Sequence, residues 1–236
     1  EDTESLVRNA DTALYKAKDE GRDCFRFYTS QYTALATEHS ELDNALRTAL
    51  EKNELSLHYQ PQIDLRTGRV IGVEALLRWN HPERGLVSPG EFISACEDMG
   101  LMKTIGYQVI QHACSALTWL KKHKLAHVDV AVNIAFSQIQ DEHFVEVVRE
   151  IIQQNNIDPR QLEFELTEST ILKNPEAIKA RIEALQDLGI TFSLDDFGTG
   201  FSSLSYLREL PLDVLKIDRS FVANLTARSG PGPRKR

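Results

Sequence analysis

Two adjacent carboxylates, Asp195 and Asp196, end a short apolar run and precede a glycine-rich turn. Successive side chains of a strand point to opposite faces, so neighbouring acids can address one site only where the backbone turns out of the sheet. Gly198 and Gly200 supply that freedom. Because the two acids repel each other, proteins usually hold such a pair with cations, and a divalent metal site is the natural interpretation. The alternative is a solvated turn followed by a helix N-cap at Ser202.

Polar residues also recur on one face of the other predicted strands, mostly towards the carboxyl ends. A parallel strand covered on both faces should be almost wholly apolar, whereas a barrel gathers polar strand ends at its active site. Carboxylate and amide oxygens without clustered His or Cys indicate a hard cation, Mg²⁺ or Mn²⁺ in preference to zinc. The residues of this polar set are Gln60, Glu74, Arg78, Asn133, Glu165, Asp195, Asp196, Lys216 and Asp218.

Two cations bridged by one carboxylate could activate a water and hold a phosphodiester for in-line attack. Asp195 is placed to bridge them, and Asp196 to complete the second site. Lys216 could orient the water or neutralise charge on phosphorus, while Arg78 could hold a phosphate oxygen. The structural alternatives are an ion pair of Glu74 with Arg78, a strand-ending Asn133, and an ion pair of Lys216 with Asp218.

Strands alternating with helices must position this polar set. The alternation predicts an α/β fold with a parallel sheet, either open and doubly wound or closed into a barrel. The first two strands are separated by a short turn and are expected to be antiparallel neighbours. The predicted strands cover residues 55–65, 70–79, 128–135, 162–169, 191–198 and 212–221, and the predicted helices 91–98, 102–123, 142–155, 175–189 and 202–210.

The N-terminal residues show a different pattern. Residues 4–20 have one apolar face and predict a helix, and residues 24–28 predict a short strand. One helix and one strand cannot bury their apolar faces alone, so we expect them to be the end of a preceding domain. Residues 29–52 predict a second helix, ending at Asn53, that joins two domains.

Composition excludes several classes of function. The chain has 236 residues and a net charge of −8, which argues against binding a nucleic-acid polymer. No apolar run approaches the roughly 18 residues of a membrane span, so no membrane contact is expected from this chain, while attachment of the full-length protein through upstream segments stays open. Three widely spaced cysteines without a CxxC pair indicate a reducing compartment, and we expect a cytoplasmic location.

Six segments carry a more specific pattern. They are YQPQ at 59–62, EALLRW at 74–79, VNIAFSQ at 132–138, ELTES at 165–169, LDDFGTGFSSLSYL at 194–207 and LKIDRSFV at 215–222. In order and spacing they resemble the EAL domain of cyclic di-GMP phosphodiesterases. The resemblance runs from about Leu42 to Val222. It implies a modified TIM (β/α) barrel that cuts cyclic di-GMP to linear pGpG with two divalent metals.

The same resemblance implies roles for individual residues. The metal ligands would be Glu74, Asn133, Glu165 and Asp195 for one cation, with Asp195 and Asp196 for the other. The catalytic residues would be Glu74, Asp195 and Lys216, with Lys216 orienting the water. The substrate contacts would be Gln60, Leu77, Arg78 and Asp218. Glu168 would hold the loop that follows the predicted strand at 191–198, and the face near that loop would form a homodimer.

A second resemblance and one departure complete the expected domain organisation. The segment NADTALYKAKDEGRDCFRFY resembles the last helix and strand of GGDEF diguanylate cyclase domains, without their catalytic motif. EAL domains continue after the KIDxSF strand with two further strand and helix units carrying AEGVE and QGY motifs, which this sequence lacks. We therefore expect an incomplete barrel of about six of the eight strands and impaired activity. The alternative function is a non-catalytic module that binds cyclic di-GMP or a partner. The expected segments are a GGDEF remnant at 1–28, a linker helix at 29–41, a truncated EAL domain at 42–225 and a disordered tail at 226–236.

Overall fold

The computed structural model describes residues 2–19, 24–29, 42, 45–198 and 210–223. The predicted linker helix, the helix at 202–210 and the C-terminal tail therefore lie wholly or mostly outside the described residues. The chain divides into two compact units, one formed by residues 1–55 with 79–100 and the other by residues 56–78 with 101–236. Among the described helices, none combines the length and the apolar character needed to cross a membrane.

The main element is a seven-stranded sheet with the order β1-β2-β4-β5-β6-β7, in which β3 lies beside β2. The pairs from β2 through β4, β5 and β6 to β7 are all parallel. Each of these strands lies next to the one before it, as in a barrel, whereas a doubly wound sheet reverses its order at a switch point. The α/β class is confirmed, and the sheet is consistent with part of a TIM-like barrel. The strands are β1 (Leu55–Ile63), β2 (Val70–His81), β3 (Gly85–Val87), β4 (Asp129–Asn133), β5 (Leu162–Thr167), β6 (Thr191–Phe197) and β7 (Val214–Ile217).

Helices connect the parallel strands, and sequence signals mark several of their ends. Pro175 begins a helix, where its missing N–H costs nothing. Asn53 adopts a left-handed φ of 55° just after a helix, as expected for a C-terminal cap. The helices are α1 (Thr3–Asp19), α2 (residues 45–51), α3 (Pro89–Asp98), α4 (Met102–Lys122), α5 (Phe136–Ile139), α6 (Phe144–Asn155), α7 (Glu168–Lys173), α8 (Pro175–Gln186) and α9 (Arg219–Ala223).

Three strand predictions need correction. Residues 24–29 form no regular secondary structure, so the predicted strand at 24–28 is wrong. The last strand ends at Ile217, because Asp218 Oδ1 accepts a hydrogen bond from Ser220 N (2.9 Å) where α9 begins. The predicted strand at 162–169 ends at Thr167, because its hydroxyl accepts a hydrogen bond from the backbone N–H of Thr170 (3.3 Å) and so caps α7.

Trp79 belongs to the buried core of the first unit. Its side chain is fully buried and meets Phe92 of α3 edge-on, with 5.7 Å between the ring centroids. The indole Nε1 donates a hydrogen bond to Glu54 Oε2 (3.1 Å), so its one polar atom is satisfied. His81 Nδ1 accepts from the backbone N–H of Glu83 (3.1 Å) and closes the turn into β3, a strand that the sequence pattern did not predict.

Gly106 of α4, in the second unit, lies directly against the buried side-chain amide of Gln138. The oxygen of that amide accepts a hydrogen bond from Ala135 N (3.0 Å). A methyl group at Gly106 would overlap the amide and force it to move. We expect Gly106→Ala to lower the free energy of unfolding by about 1–3 kcal/mol in urea denaturation, although helix propensity alone favours Ala by about 1 kcal/mol.

The matched control for this substitution is Gly90→Ala in α3, where the nearest neighbour of the added methyl would be Ser88 Oγ at 3.9 Å. We expect no loss of stability there. A Gly106→Ala protein as stable as the wild type, or more stable, would show that the Gln138 amide does not fix the contact between α4 and α5.

Candidate active site

The parallel strands bring five residues of the predicted polar set together. Glu74 of β2, Glu165 of β5 and Asp195 of β6 each place a carboxylate oxygen within 4.8 Å of the other two. Asn133, at the end of β4, lies opposite Glu165 in the sheet, and its Nδ2 donates to Glu74 Oε1 (3.0 Å). Lys216 reaches the three acids from β7, the strand next to β6.

Lys216 contacts all three carboxylates at once. Its Nζ lies 3.2 Å from Glu74 Oε2, 2.7 Å from Glu165 Oε2 and 3.3 Å from Asp195 Oδ1. The Lys216 side chain is 23% exposed and that of Glu165 is fully buried, so solvent screens these ion pairs less than surface pairs. Neither ion pair offered as a structural alternative is found among the described ion pairs, which join Glu74 and Lys216 to each other instead of to Arg78 and Asp218. The third alternative is met, because Asn133 is the last residue of β4.

Burial and like charges perturb the acids of this cluster. Burial is the main cause that raises the pKa of Glu165, and the nearby Glu74 and Asp195 add to it, while the Lys216 ammonium opposes them. Burial by itself would lower the pKa of Lys216, but the three carboxylates together raise it. Apart from the Lys216 ion pair, neither oxygen of Glu165 has a hydrogen-bond partner among the described residues. A buried carboxylate of this kind suits a cation ligand.

A bulge at the end of β6 turns the two neighbouring aspartates out of the regular sheet. Leu194 pairs with Leu215 and Phe197 with Ile217, so β6 uses three residues where β7 uses two. Asp196 takes a left-handed φ of 54°, and Gly198 follows with a φ of 96°, while Gly200 lies outside the described residues. The backbone therefore leaves the sheet where the sequence pattern required. Burial first, and then Asp195 and Asp218, raise the pKa of Asp196, which places it in the same electrostatic cluster.

The predicted substrate contacts are less closely assembled. Gln60 is exposed on β1, and the Arg78 guanidinium donates through Nη1 to the carbonyl of its neighbour Leu77 (2.8 Å). Asp218 accepts hydrogen bonds from Ser220, which hold the pKa of Asp218 below its usual value. The structure thus gives Asp218 a helix-capping role in addition to any contact with a substrate.

Glu168, the predicted loop holder, is buried at the start of α7. Its two carboxylate oxygens have no hydrogen-bond partner among the described residues. The loop that it was predicted to hold continues beyond Gly198, outside the described residues, so the loop contact stays a prediction.

The sequence did not predict that Lys216 contacts three carboxylates. It predicted that Lys216 orients a water, neutralises charge on phosphorus or forms an ion pair with the single acid Asp218. The available signal was the neighbourhood in the sheet: β7 lies next to β6, and the polar faces of β2, β5 and β6 all carry acids. A lysine on such an edge can reach more than one of them because its four-carbon stem is long.

Several known proteins are similar to this chain in sequence. The bifunctional diguanylate cyclase/cyclic di-GMP phosphodiesterase MucR of Pseudomonas aeruginosa is 43% identical over 223 residues, which cover 93% of this chain and 32% of MucR. The cyclic di-GMP phosphodiesterase PdeR of Escherichia coli is 40% identical over 225 residues, which cover 95% of this chain and 34% of PdeR. The chain thus spans about a third of the length of these curated relatives.

Several solved structures are similar to this chain in fold. The PaMucR phosphodiesterase in complex with c-di-GMP has a TM-score of 0.76 and 41% identity, covering 80% of this chain and 76% of that one. The FimX EAL domain from Pseudomonas aeruginosa bound to c-di-GMP has a TM-score of 0.70 and 27% identity, covering 78% and 74%. The EAL domain model matches residues 43–231, and the chain therefore belongs to the EAL domain family.

Proposed function

We propose that this chain carries the phosphodiesterase domain of a cyclic di-GMP signalling protein and hydrolyses cyclic di-GMP to linear pGpG. The observation that carries the proposal is the cluster of Glu74, Glu165 and Asp195 on three strands of the parallel sheet, whose carboxylate oxygens lie within 4.8 Å of one another. The names of MucR and PdeR, and the c-di-GMP in the PaMucR complex, support the choice of substrate.

The residues present fit divalent cations. Their donors are all oxygens, and apart from the Lys216 ion pair the buried oxygens of Glu165 have no hydrogen-bond partner among the described residues. When bound, Mg²⁺ or Mn²⁺ supplies an activated water and positive charge beside the phosphodiester. The residues that would hold one cation are Glu74, Asn133, Glu165 and Asp195, and those that would hold the second are Asp195 and Asp196.

The protein's own side chains have separate tasks in this proposal. Asn133 fixes the orientation of Glu74 through its hydrogen bond to Oε1 (3.0 Å). The bulge in β6 directs Asp195 and Asp196 to different positions of the site. Lys216 orients the attacking water and offsets negative charge that develops on phosphorus. The proposed substrate contacts are Gln60, Leu77, Arg78 and Asp218, and Glu168 is the proposed loop holder.

The proposal also covers the surroundings of the domain. Residues 1–28 would belong to the end of a GGDEF domain, residues 29–41 would form a linker helix, and the EAL domain would occupy residues 42–225. The bifunctional name of MucR, which matches this chain over 93% of its length, supports this order. We also propose that the face near the loop after β6 forms a homodimer. A cytoplasmic location is proposed as well, supported by three cysteines that are all free.

The test is hydrolysis of cyclic di-GMP by the purified chain with Mg²⁺ and, separately, with Mn²⁺, followed by chromatography of the nucleotides. We expect pGpG to form with at least one cation and its formation to stop when EDTA is added. Absence of turnover with both cations would contradict the proposal. Calorimetry with Ca²⁺ tests the alternative, because a non-catalytic module would bind cyclic di-GMP there and still form no pGpG with Mg²⁺ or Mn²⁺.

A further inference from the structure

We propose that Lys216 is an internal counter-ion of the metal site: its ammonium group holds the three carboxylates together until a divalent cation takes its place. The inference rests on the metal site of the proposed function. It adds a competition between a side chain and the cation, which that function does not require.

The competition follows from the atoms that Lys216 contacts. Its Nζ lies 2.7–3.3 Å from Glu74 Oε2, Glu165 Oε2 and Asp195 Oδ1, one oxygen from each acid. These three acids are also the group whose oxygens are close enough to share a metal ion. A hard cation binds carboxylate oxygens at about 2.0–2.6 Å, so a cation shared by these three acids and the ammonium group beside them would lie within a few ångströms of each other. Like charges that close repel strongly in a partly buried site, so one must leave.

The carboxylates need a positive charge even before a cation binds. Glu165 is fully buried, and two further acids lie beside it on different strands. Asn133 donates to one oxygen of Glu74, which leaves the charge of the cluster uncompensated except by Lys216 among the described ion pairs. Without the ammonium group, mutual repulsion of the three acids would push β2, β5 and β6 apart at this cluster or force protonation.

Lys216 is also suited to leave. Its charge is carried on a flexible four-carbon stem, and its side chain is 23% exposed, so the ammonium group can swing towards solvent or substrate without moving the backbone of β7. The measured binding free energy for a cation is then the binding free energy of the carboxylates alone, reduced by the free energy needed to displace Lys216. The same displacement would free the lysine for the water that it is proposed to orient.

The experiment compares Mn²⁺ binding to the wild-type chain and to Lys216→Met, a side chain of similar length without charge. By calorimetry, we expect the dissociation constant of Lys216→Met for Mn²⁺ to fall about tenfold or more, because nothing has to be displaced. Without added cation we expect its thermal midpoint to fall by about 3 °C or more, and saturating Mn²⁺ to restore most of the loss.

Two controls separate this effect from a general loss of charge. Lys103→Met removes a lysine of the same unit that pairs with Asp141 (3.1 Å), which is not one of the three clustered acids, and we expect unchanged Mn²⁺ affinity. Lys216→Arg keeps the positive charge, so we expect Mn²⁺ affinity no tighter than wild type. Should Lys216→Met fail to fold, Lys216→Gln is measured in its place, with the same direction of change expected.

The outcomes distinguish this inference from the proposed function. Tighter Mn²⁺ binding together with a lower cation-free midpoint supports it. Equal or weaker Mn²⁺ binding by Lys216→Met, when the wild-type chain hydrolyses cyclic di-GMP, overturns the inference alone. A wild-type chain that neither binds Mn²⁺ nor hydrolyses cyclic di-GMP overturns both.

Discussion

Replacing Glu165 with Gln is expected to lower the rate of cyclic di-GMP hydrolysis by about a thousandfold or more while the protein stays folded. Changes to residues behind metal ligands typically cost about 10–100-fold, so the loss of a central ligand should cost more. Gln has the shape of Glu but offers one neutral oxygen in place of a charged pair. The burial of Glu165, which raises its pKa, makes the charged form costly in the folded state.

Stability should therefore change little. The substitution removes a buried charge, and Lys216 keeps its ion pairs with Glu74 (3.2 Å) and Asp195 (3.3 Å). We expect the free energy of unfolding to change by no more than about 1 kcal/mol, with activity and urea denaturation measured on the same preparation.

Glu163→Gln is the matched control, since Glu163 lies two residues earlier on the same strand and outside the group of acids that can share a metal ion. We expect it to retain wild-type activity. An active Glu165→Gln enzyme would remove Glu165 from the metal site, whatever the family pattern implies. Loss of activity in both variants would indicate that the substitutions disturb β5, and it would not support a role of Glu165 as a metal ligand.

The regular part of the fold could be predicted from the sequence because it depends on local alternation. Leu162, Phe164 and Leu166 are fully buried as their alternation indicated, and they define β5. The strand ends were less predictable because capping decides them. Asp218 and Thr167 each begin a helix with a side-chain oxygen, although their surroundings continue the strand pattern in the letters.

The candidate site shows the same division. The identity of the acids and the turn at Asp195 and Asp196 followed from residue type and position. The ion pairs of Lys216 did not, because its partners are 142, 51 and 21 residues away in sequence (216 − 74, 216 − 165 and 216 − 195) and meet only through the strand order. The polar face of each strand can be predicted from the sequence, but which polar side chains lie close together depends on the strand order in the sheet.

The two faces of β5 link stability to the site. Glu165 points into the acidic cluster, and the preceding Phe164 lies on the opposite face. The Phe164 ring packs between Phe144 of α6 and Phe192 of β6, with centroids 6.0 Å and 5.8 Å away. All three rings are fully buried. Packing of this aromatic cluster therefore fixes the strand that carries Glu165, the most deeply buried of the three clustered acids.

Phe164→Ala is accordingly expected to lower the free energy of unfolding by about 3–5 kcal/mol, measured by urea denaturation, because it removes a buried ring and leaves a cavity between two others. Phe164→Leu fills most of that space and should cost about 1.5 kcal/mol or less. The control is Phe25→Ala, where the side chain is 75% exposed and we expect a change within about 0.5 kcal/mol. A loss at Phe164 no larger than at Phe25 would mean that the aromatic cluster does not anchor β5, and the acid beside it would need another support.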